Sequence, residues 1–211
     1  MKFFGLLTVF SFFITCSSFN PAKEKWTDLF DGESLEGWKV GKNAGSFTVE
    51  NGAIKVNGNV GHLYYDGQMA AHRFRNFAFS ARVMTKAGAN SGIYFHTLYQ
   101  EEGWPKKGYE VQVNNSHTDW RRTGSLWAIQ DVRESYVPDE EWFTLGITVI
   151  GKKVTVTVNN KKVVEYTEPD NPERPEGMKE RLLDAGTFAL QAHDPKSTVY
   201  YKDIRVKILP D

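Results

Sequence analysis

Trp142-Phe143-Thr144-Leu145-Gly146-Ile147-Thr148-Val149-Ile150-Gly151-Lys152-Lys153-Val154-Thr155-Val156-Thr157-Val158-Asn159-Asn160-Lys161-Lys162-Val163-Val164-Glu165-Tyr166 is the stretch that decides the fold class. Apolar residues return at every second position, the period of an extended strand and not of a helix. Gly151-Lys152 and Asn159-Asn160-Lys161 interrupt the alternation with turn residues, so the stretch reads as a three-strand meander over 142–150, 153–158 and 162–166. Phe143, Leu145, Ile147, Val149, Val154, Val156 and Val158 share the face turned to a core.

The same period extends outward in both directions. Alternating runs occupy 46–50, 53–56, 62–65, 74–84, 92–96, 108–113, 187–193 and 199–208, with Asn51-Gly52 as a hairpin signal between the first two. About twelve strands result, and no segment holds a 3.6-residue apolar period. That pattern predicts an all-β sandwich and excludes alternating strand–helix folds. A loop rich in proline (Pro169, Pro172, Pro175) and charge precedes one expected helical turn over 178–183. With no internal repeat and no low-complexity linker, a single domain over 26–211 is expected.

Three of the strands carry chemistry on the face away from the core. In Gly92-Ile93-Tyr94-Phe95-His96, Tyr94 and His96 oppose Ile93 and Phe95; in Gly108-Tyr109-Glu110-Val111-Gln112-Val113, Glu110 and Gln112 oppose Tyr109, Val111 and Val113. In Thr187-Phe188-Ala189-Leu190-Gln191-Ala192-His193, Gln191 and His193 oppose Phe188, Leu190 and Ala192. Imidazoles and a carboxylate are the groups that move protons near neutral pH, which makes Glu110 the first candidate catalytic acid or base, with His193 or His96 as its partner. Asn90, Tyr94, His96, Gln112 and Gln191 are candidate substrate contacts, with Trp127 and Trp104 as walls of a sugar subsite. Trp120, Arg121 and Arg122 lie on a connection able to cover a cleft. His62, His72 and His117 read first as structural histidines, and Ser91 as a turn residue without a triad. No cofactor is called for. A divalent metal stays open, because His96, Glu110 and His193 would suit zinc or manganese, although no ligand spacing makes the set specific.

The chain has 26 basic and 26 acidic residues, so no basic stripe offers itself to nucleic acid. Its six Trp and nine Tyr are a heavy aromatic load, suited to stacking on sugars or to filling a sandwich core. Lys2 followed by an apolar run to Ile14 has the layout of an export signal over 1–18, too short for a transmembrane helix. Cys16, the single cysteine, stands where a lipoprotein signal is cleaved and acylated; ordinary cleavage near Ser18 is the alternative. Either end predicts an exported protein, periplasmic or attached to the outer membrane of a Gram-negative bacterium, with 19–25 as a short tether. HExxH, GxSxG, P-loop and dinucleotide motifs are absent from the sequence.

Trp26-Thr27-Asp28-Leu29-Phe30-Asp31-Gly32, Asn90-Ser91-Gly92-Ile93-Tyr94-Phe95, Gly108-Tyr109-Glu110-Val111-Gln112-Val113, Thr123-Gly124-Ser125-Leu126, Gly186-Thr187-Phe188-Ala189-Leu190-Gln191-Ala192-His193-Asp194 and Tyr201-Lys202-Asp203-Ile204-Arg205-Val206 resemble, in this order, the 3-keto-disaccharide hydrolase domain family. The resemblance implies a concanavalin A-like jelly-roll β-sandwich of two antiparallel sheets, with a carbohydrate site on the concave sheet. It also implies action on glycosides oxidised to a ketone at carbon 3. The family's Gly-Tyr-Glu-Val-Gln run falls on Gly108 to Gln112 and its Leu-Gln-x-His run on Leu190 to His193, the outward residues that alternation selects. Relatives often carry arginine where this chain has His96, and several members resemble lyases more than hydrolases. A non-catalytic carbohydrate-binding module is the competing class. An ordinary two-carboxylate glycosidase would need an acid facing Glu110, and strand parity supplies none.

Overall fold

Thirteen strands follow one another among residues 25–210, the part of the chain that the computed structural model describes. They are β1 (Thr27–Asp28), β2 (Trp38–Val40), β3 (Phe47–Glu50), β4 (Ala53–Asn57), β5 (Gly61–Tyr65), β6 (Phe77–Thr85), β7 (Ser91–Thr97), β8 (Tyr109–Val113), β9 (Phe143–Ile150), β10 (Lys153–Val158), β11 (Lys161–Thr167), β12 (Thr187–Ala192) and β13 (Thr198–Ile208). The expected export signal over 1–18, with Cys16, and residues 19–24 of the tether lie outside the described residues. Among the described residues no helix is long and apolar enough to cross a membrane.

Two antiparallel sheets form the body. One runs β11-β10-β9-β6-β13-β4-β3, with β1 added beside β13, and the other runs β2-β5-β12-β7-β8. The meander supplies β9, β10 and β11, and all seven of its expected core residues are buried. Between the sheets the apolar faces of β6, β9 and β13 meet those of β7, β8 and β12, with Phe77, Phe79 and Phe188 packed ring against ring.

The two sheets differ in their outer faces. Strands β6, β9 and β10 alternate buried with partly exposed residues, as a sheet wetted on one side must. Every residue of β5, β7, β8 and β12 is buried, so their outer face is covered as well. The cover comes from the connections after β7, after β8 and before β12. The helical turn expected over 178–183 is instead a pair of turns, closed by Met178 N–H to Pro175 O at 3.0 Å and Arg181 N–H to Met178 O at 3.0 Å. Gly177, at φ +80°, ends any helical path before it starts.

Candidate active site

Register places the polar side chains of the covered face in two rows. Gln191 opposes His62, and Gly92 opposes Gln112; Tyr64, Ala189, Tyr94 and Glu110 follow each other across β5, β12, β7 and β8. Glu110 is the centre of the arrangement. Tyr94 Oη donates to Glu110 Oε2 at 2.8 Å, and Gln191 Nε2 donates to Glu110 Oε1 at 3.0 Å. Gly92 makes room for this carboxylate: a Cβ there would stand 2.5 Å from Glu110 Oε1. Burial pushes the Glu110 carboxyl above its usual range, while the charge of Arg181 and the bonds from Tyr94 and Gln191 pull it back.

Above these rows lies a hollow of about 290 Å³, lined by Asn90, Tyr94, Trp104, Glu110, Gln112, Trp127, Arg181, Gln191 and His193 among others. Its size and mixed lining suit one small polar ring. Among the described residues nothing hydrogen-bonds to Gln112 Oε1 or Gln191 Oε1, although both are buried. Buried acceptors are normally satisfied, so these two oxygens mark the floor as a place for a donor from a ligand. Gln112 Nε2 meanwhile donates to Asn90 Oδ1 at 2.6 Å, which fixes its amide.

His193 stands just past the end of β12 at the edge of the hollow. Its Nδ1 faces Asp194 Oδ2 at 2.8 Å. Burial alone would raise the Asp194 carboxyl, but the bonds from His193, from Ser197 Oγ and from the backbone N–H of Lys196 hold it down to about 2. An ionised partner at Nδ1 assigns the proton to that nitrogen and leaves Nε2 of neutral His193 with a free lone pair. Trp104 walls the same edge, its ring 5.6 Å from that of His193 and 5.7 Å from that of His62.

Of the candidate residues read from the sequence, Glu110, His193, Asn90, Tyr94, Gln112, Trp127 and Gln191 come together in this hollow, and Trp104 joins them. His96 does not. Thr187 opposes Thr97 while Ala189 opposes Tyr94, so β7 carries one extra residue against β12. This β-bulge, with His96 at φ +55°, breaks the alternation and turns the imidazole aside. The His96 ring lies edge-on to Phe77, 5.6 Å between centres, with Nε2 on Arg75 O and Nδ1 accepting from Asp184 N–H. Burial pushes it down to about 4. The trio His96, Glu110 and His193 is therefore not assembled as a ligand set, and among the described residues no other three His, Cys, Asp or Glu side chains converge as one.

Arg181 is the residue that strand alternation misses. It belongs to the connection before β12, is itself buried, and spreads over the Trp127 ring at 4.8 Å. Asp119, Lys106 and Met178 reach the hollow from connections in the same way. Trp120 and Arg122 do not line it: Trp120 is capped by Arg121 and Arg133, and Arg122 holds the carbonyls of His117 and Asp119.

The profile of 3-keto-α-glucoside-1,2-lyase-like domains matches residues 25–207. The chain belongs to this family. A 3-keto-disaccharide hydrolase of Bacteroides thetaiotaomicron is 30% identical over 167 residues, 65% of this chain and 57% of that protein. The match thus spans little more than half the length of that relative. A solved structure from Parabacteroides distasonis ATCC 8503, provisionally named a glycosyl hydrolase, superposes with a TM-score of 0.73 at 22% identity, covering 88% of this chain and 94% of that one. The carbohydrate-binding module CBM66 of Bacillus subtilis superposes with a TM-score of 0.57 at 10% identity, over 81% of this chain and 95% of the module. At these identities both neighbours speak for the sandwich architecture alone.

Proposed function

We propose that this protein is an exported carbohydrate-active enzyme that cleaves the glycosidic bond of 3-keto-glycosides, disaccharides included, by removing the proton on carbon 2 and eliminating the group on carbon 1. One observation carries the reading: an oriented His193–Asp194 pair and a buried, hydrogen-bonded Glu110 meet at a single hollow sized for a sugar ring. A ketone at carbon 3 makes the carbon 2 proton acidic and puts the glycosidic oxygen in the β position. His193 Nε2 takes that proton, since its other nitrogen is committed to Asp194. Glu110, raised by burial, is the proton donor to the departing oxygen. Arg181, the one buried cation of the lining, stabilises the enolate oxygen. Gln112 and Gln191 accept from sugar hydroxyls. Water addition to the unsaturated product gives net hydrolysis; its release gives a lyase. The apolar run to Ile14 exports the chain, with lipid attachment at Cys16 or ordinary cleavage near Ser18.

Incubation with a 3-keto-glucoside beside its unoxidised parent, read by mass spectrometry, tests this. Released aglycone from the keto form alone is expected, and a sugar product lighter by one water identifies elimination without hydration. Binding without turnover of either compound makes the protein a carbohydrate-binding module instead. Near-native turnover in both Glu110→Gln and His193→Ala removes the assigned roles.

A further inference from the structure

Arg181 stands six residues before β12 begins, and within its own stretch its backbone N–H bonds Met178 O at 3.0 Å, which leaves its carbonyl end to be held from elsewhere. What fixes it is a second charged cluster on the opposite side of β8. Tyr109, the neighbour of Glu110 in the chain, points away from the hollow and donates its hydroxyl to Glu168 Oε2. Arg174 Nη2 donates to Tyr109 Oη at 2.6 Å and to Tyr166 Oη at 2.9 Å, and stands 3.6 Å from Glu168 Oε2. The Arg174 and Glu168 side chains keep only 7% and 9% of their exposure, so the pair is buried. A further contact of Arg174 leads back to the hollow: its Nε donates to the carbonyl oxygen of Arg181 at 2.9 Å. Glu168 also accepts from the backbone N–H of Leu183 at 3.0 Å, closing the loop from its other end.

We infer that Arg174 is a positioning residue: by holding the Arg181 carbonyl to the Tyr109–Glu168 pair beneath β8, it sets where the Arg181 guanidinium stands over the hollow. A guanidinium is needed for this. Its planar fork serves two phenols, a carboxylate and a carbonyl at once, and the ammonium of lysine has one point of charge to share among them. The cluster is buried, so removing Arg174 leaves Glu168 an unpaired charge and releases the connection that carries Arg181. On the sheet side Trp127 restrains Arg181 as well, with its ring under the guanidinium and its carbonyl accepting from Arg181 Nη1 at 3.4 Å.

The test reads Glu110 directly. Tyr94 faces Glu110 from β7, Gln191 and His193 face it from β12 and its end, and Arg181 from the covering connection; Lys106 and Asp119 line the same hollow. Carbon-13 NMR of the Glu110 carboxyl is recorded as a function of pH in the full chain and in Arg174→Ala, Arg174→Lys, Arg181→Met and the double variant Arg174→Ala/Arg181→Met. The midpoint is expected to rise in Arg181→Met and in Arg174→Ala, and the double variant is expected to match Arg181→Met alone, because one effect runs through the other. Arg174→Lys is expected to recover melting temperature without recovering the titration. In kinetics, Arg174→Ala is expected to lower kcat/KM by roughly tenfold to a hundredfold. This last readout rests on the proposed reaction; the titration does not, so a protein inert toward 3-keto-glycosides still decides the point. An unmoved Glu110 midpoint in Arg174→Ala, effects that simply add in the double variant, or full rescue by lysine overturns the inference. If Arg174→Ala does not fold, Arg174→Lys and Tyr166→Phe, each keeping part of the cluster, are read against the same criteria.

Discussion

Gly92→Ala is the substitution that separates the site from the scaffold. Gly92 lies within β7 on the face of Tyr94, and its φ is not in the left-handed region, so alanine fits the backbone. The new Cβ, however, would meet Glu110 Oε1 at 2.5 Å, Cγ at 2.9 Å and Cδ at 3.1 Å. Ordinary contact begins near 3.4 Å, so the carboxylate oxygen must retreat by roughly 0.9 Å. That oxygen is the one bonded by Gln191 Nε2 at 3.0 Å, and the bond cannot survive such a displacement unchanged. Losing a hydrogen bond to a buried carboxylate costs about 1.5–3 kcal/mol, a fraction of a domain's stability. For chemistry the consequence is larger, since an ångström of misplacement costs about a hundredfold in rate. Purified Gly92→Ala is therefore expected to melt within a few degrees of the parent while its kcat/KM on a 3-keto-glucoside falls about a hundredfold. Wild-type kcat/KM in this variant would refute the placement of Glu110 at the reacting centre.

Acid should unfold this protein early. Burial pushes His62 from 6.5 down to about 3 and His96 down to about 4, so below pH 6.5 the unfolded chain binds protons that the folded one refuses. Stability is whole above that point and is lost as pH falls toward the folded values, by roughly 4 kcal/mol for the two groups together at pH 5. Urea titrations at pH 7 and pH 5 measure it, and His62→Phe should remove about half of the slope; an equal slope in the variant contradicts the assignment. Asp194→Asn frees the Nδ1 tautomer of His193 and is expected to lower kcat by about a hundredfold or more, with little change in KM; steady-state kinetics at pH 7 decides. Tyr94→Phe removes one of the two donors to Glu110 and should move the Glu110-dependent limb of the pH–rate profile upward, whereas an unmoved limb would place the proton donor elsewhere.

Much of this site is legible in the chain because its floor is built on strands. The facing of Glu110, Gln112, Gln191 and Tyr94 follows from period alone, since on regular strands parity and facing are the same fact. His96 shows where that equivalence stops: the extra residue in β7 shifts parity by one, and no residue type announces a bulge. Arg181 escapes for a different reason. Connections have no period, and this one crosses the sheet to reach a partner far away in sequence, so only the folded chain reveals that the Pro-rich segment carries the cation. The uniform burial of β7, β8 and β12 was equally hidden, because their outer polar residues look in sequence like those of a wetted face.

Tyr109 and Glu110 are separated by a single peptide unit and serve two ionic systems, one beneath the sheet and one above it, joined through Arg174 and Arg181. A directed-evolution screen scored only on heat tolerance would find Glu168 and Arg174 attractive targets, because buried ion pairs can often be replaced by apolar residues with a gain in stability. Variants enriched that way would reach the far side of the strand as well, and selection for robustness would drain turnover without ever touching a residue that meets the sugar.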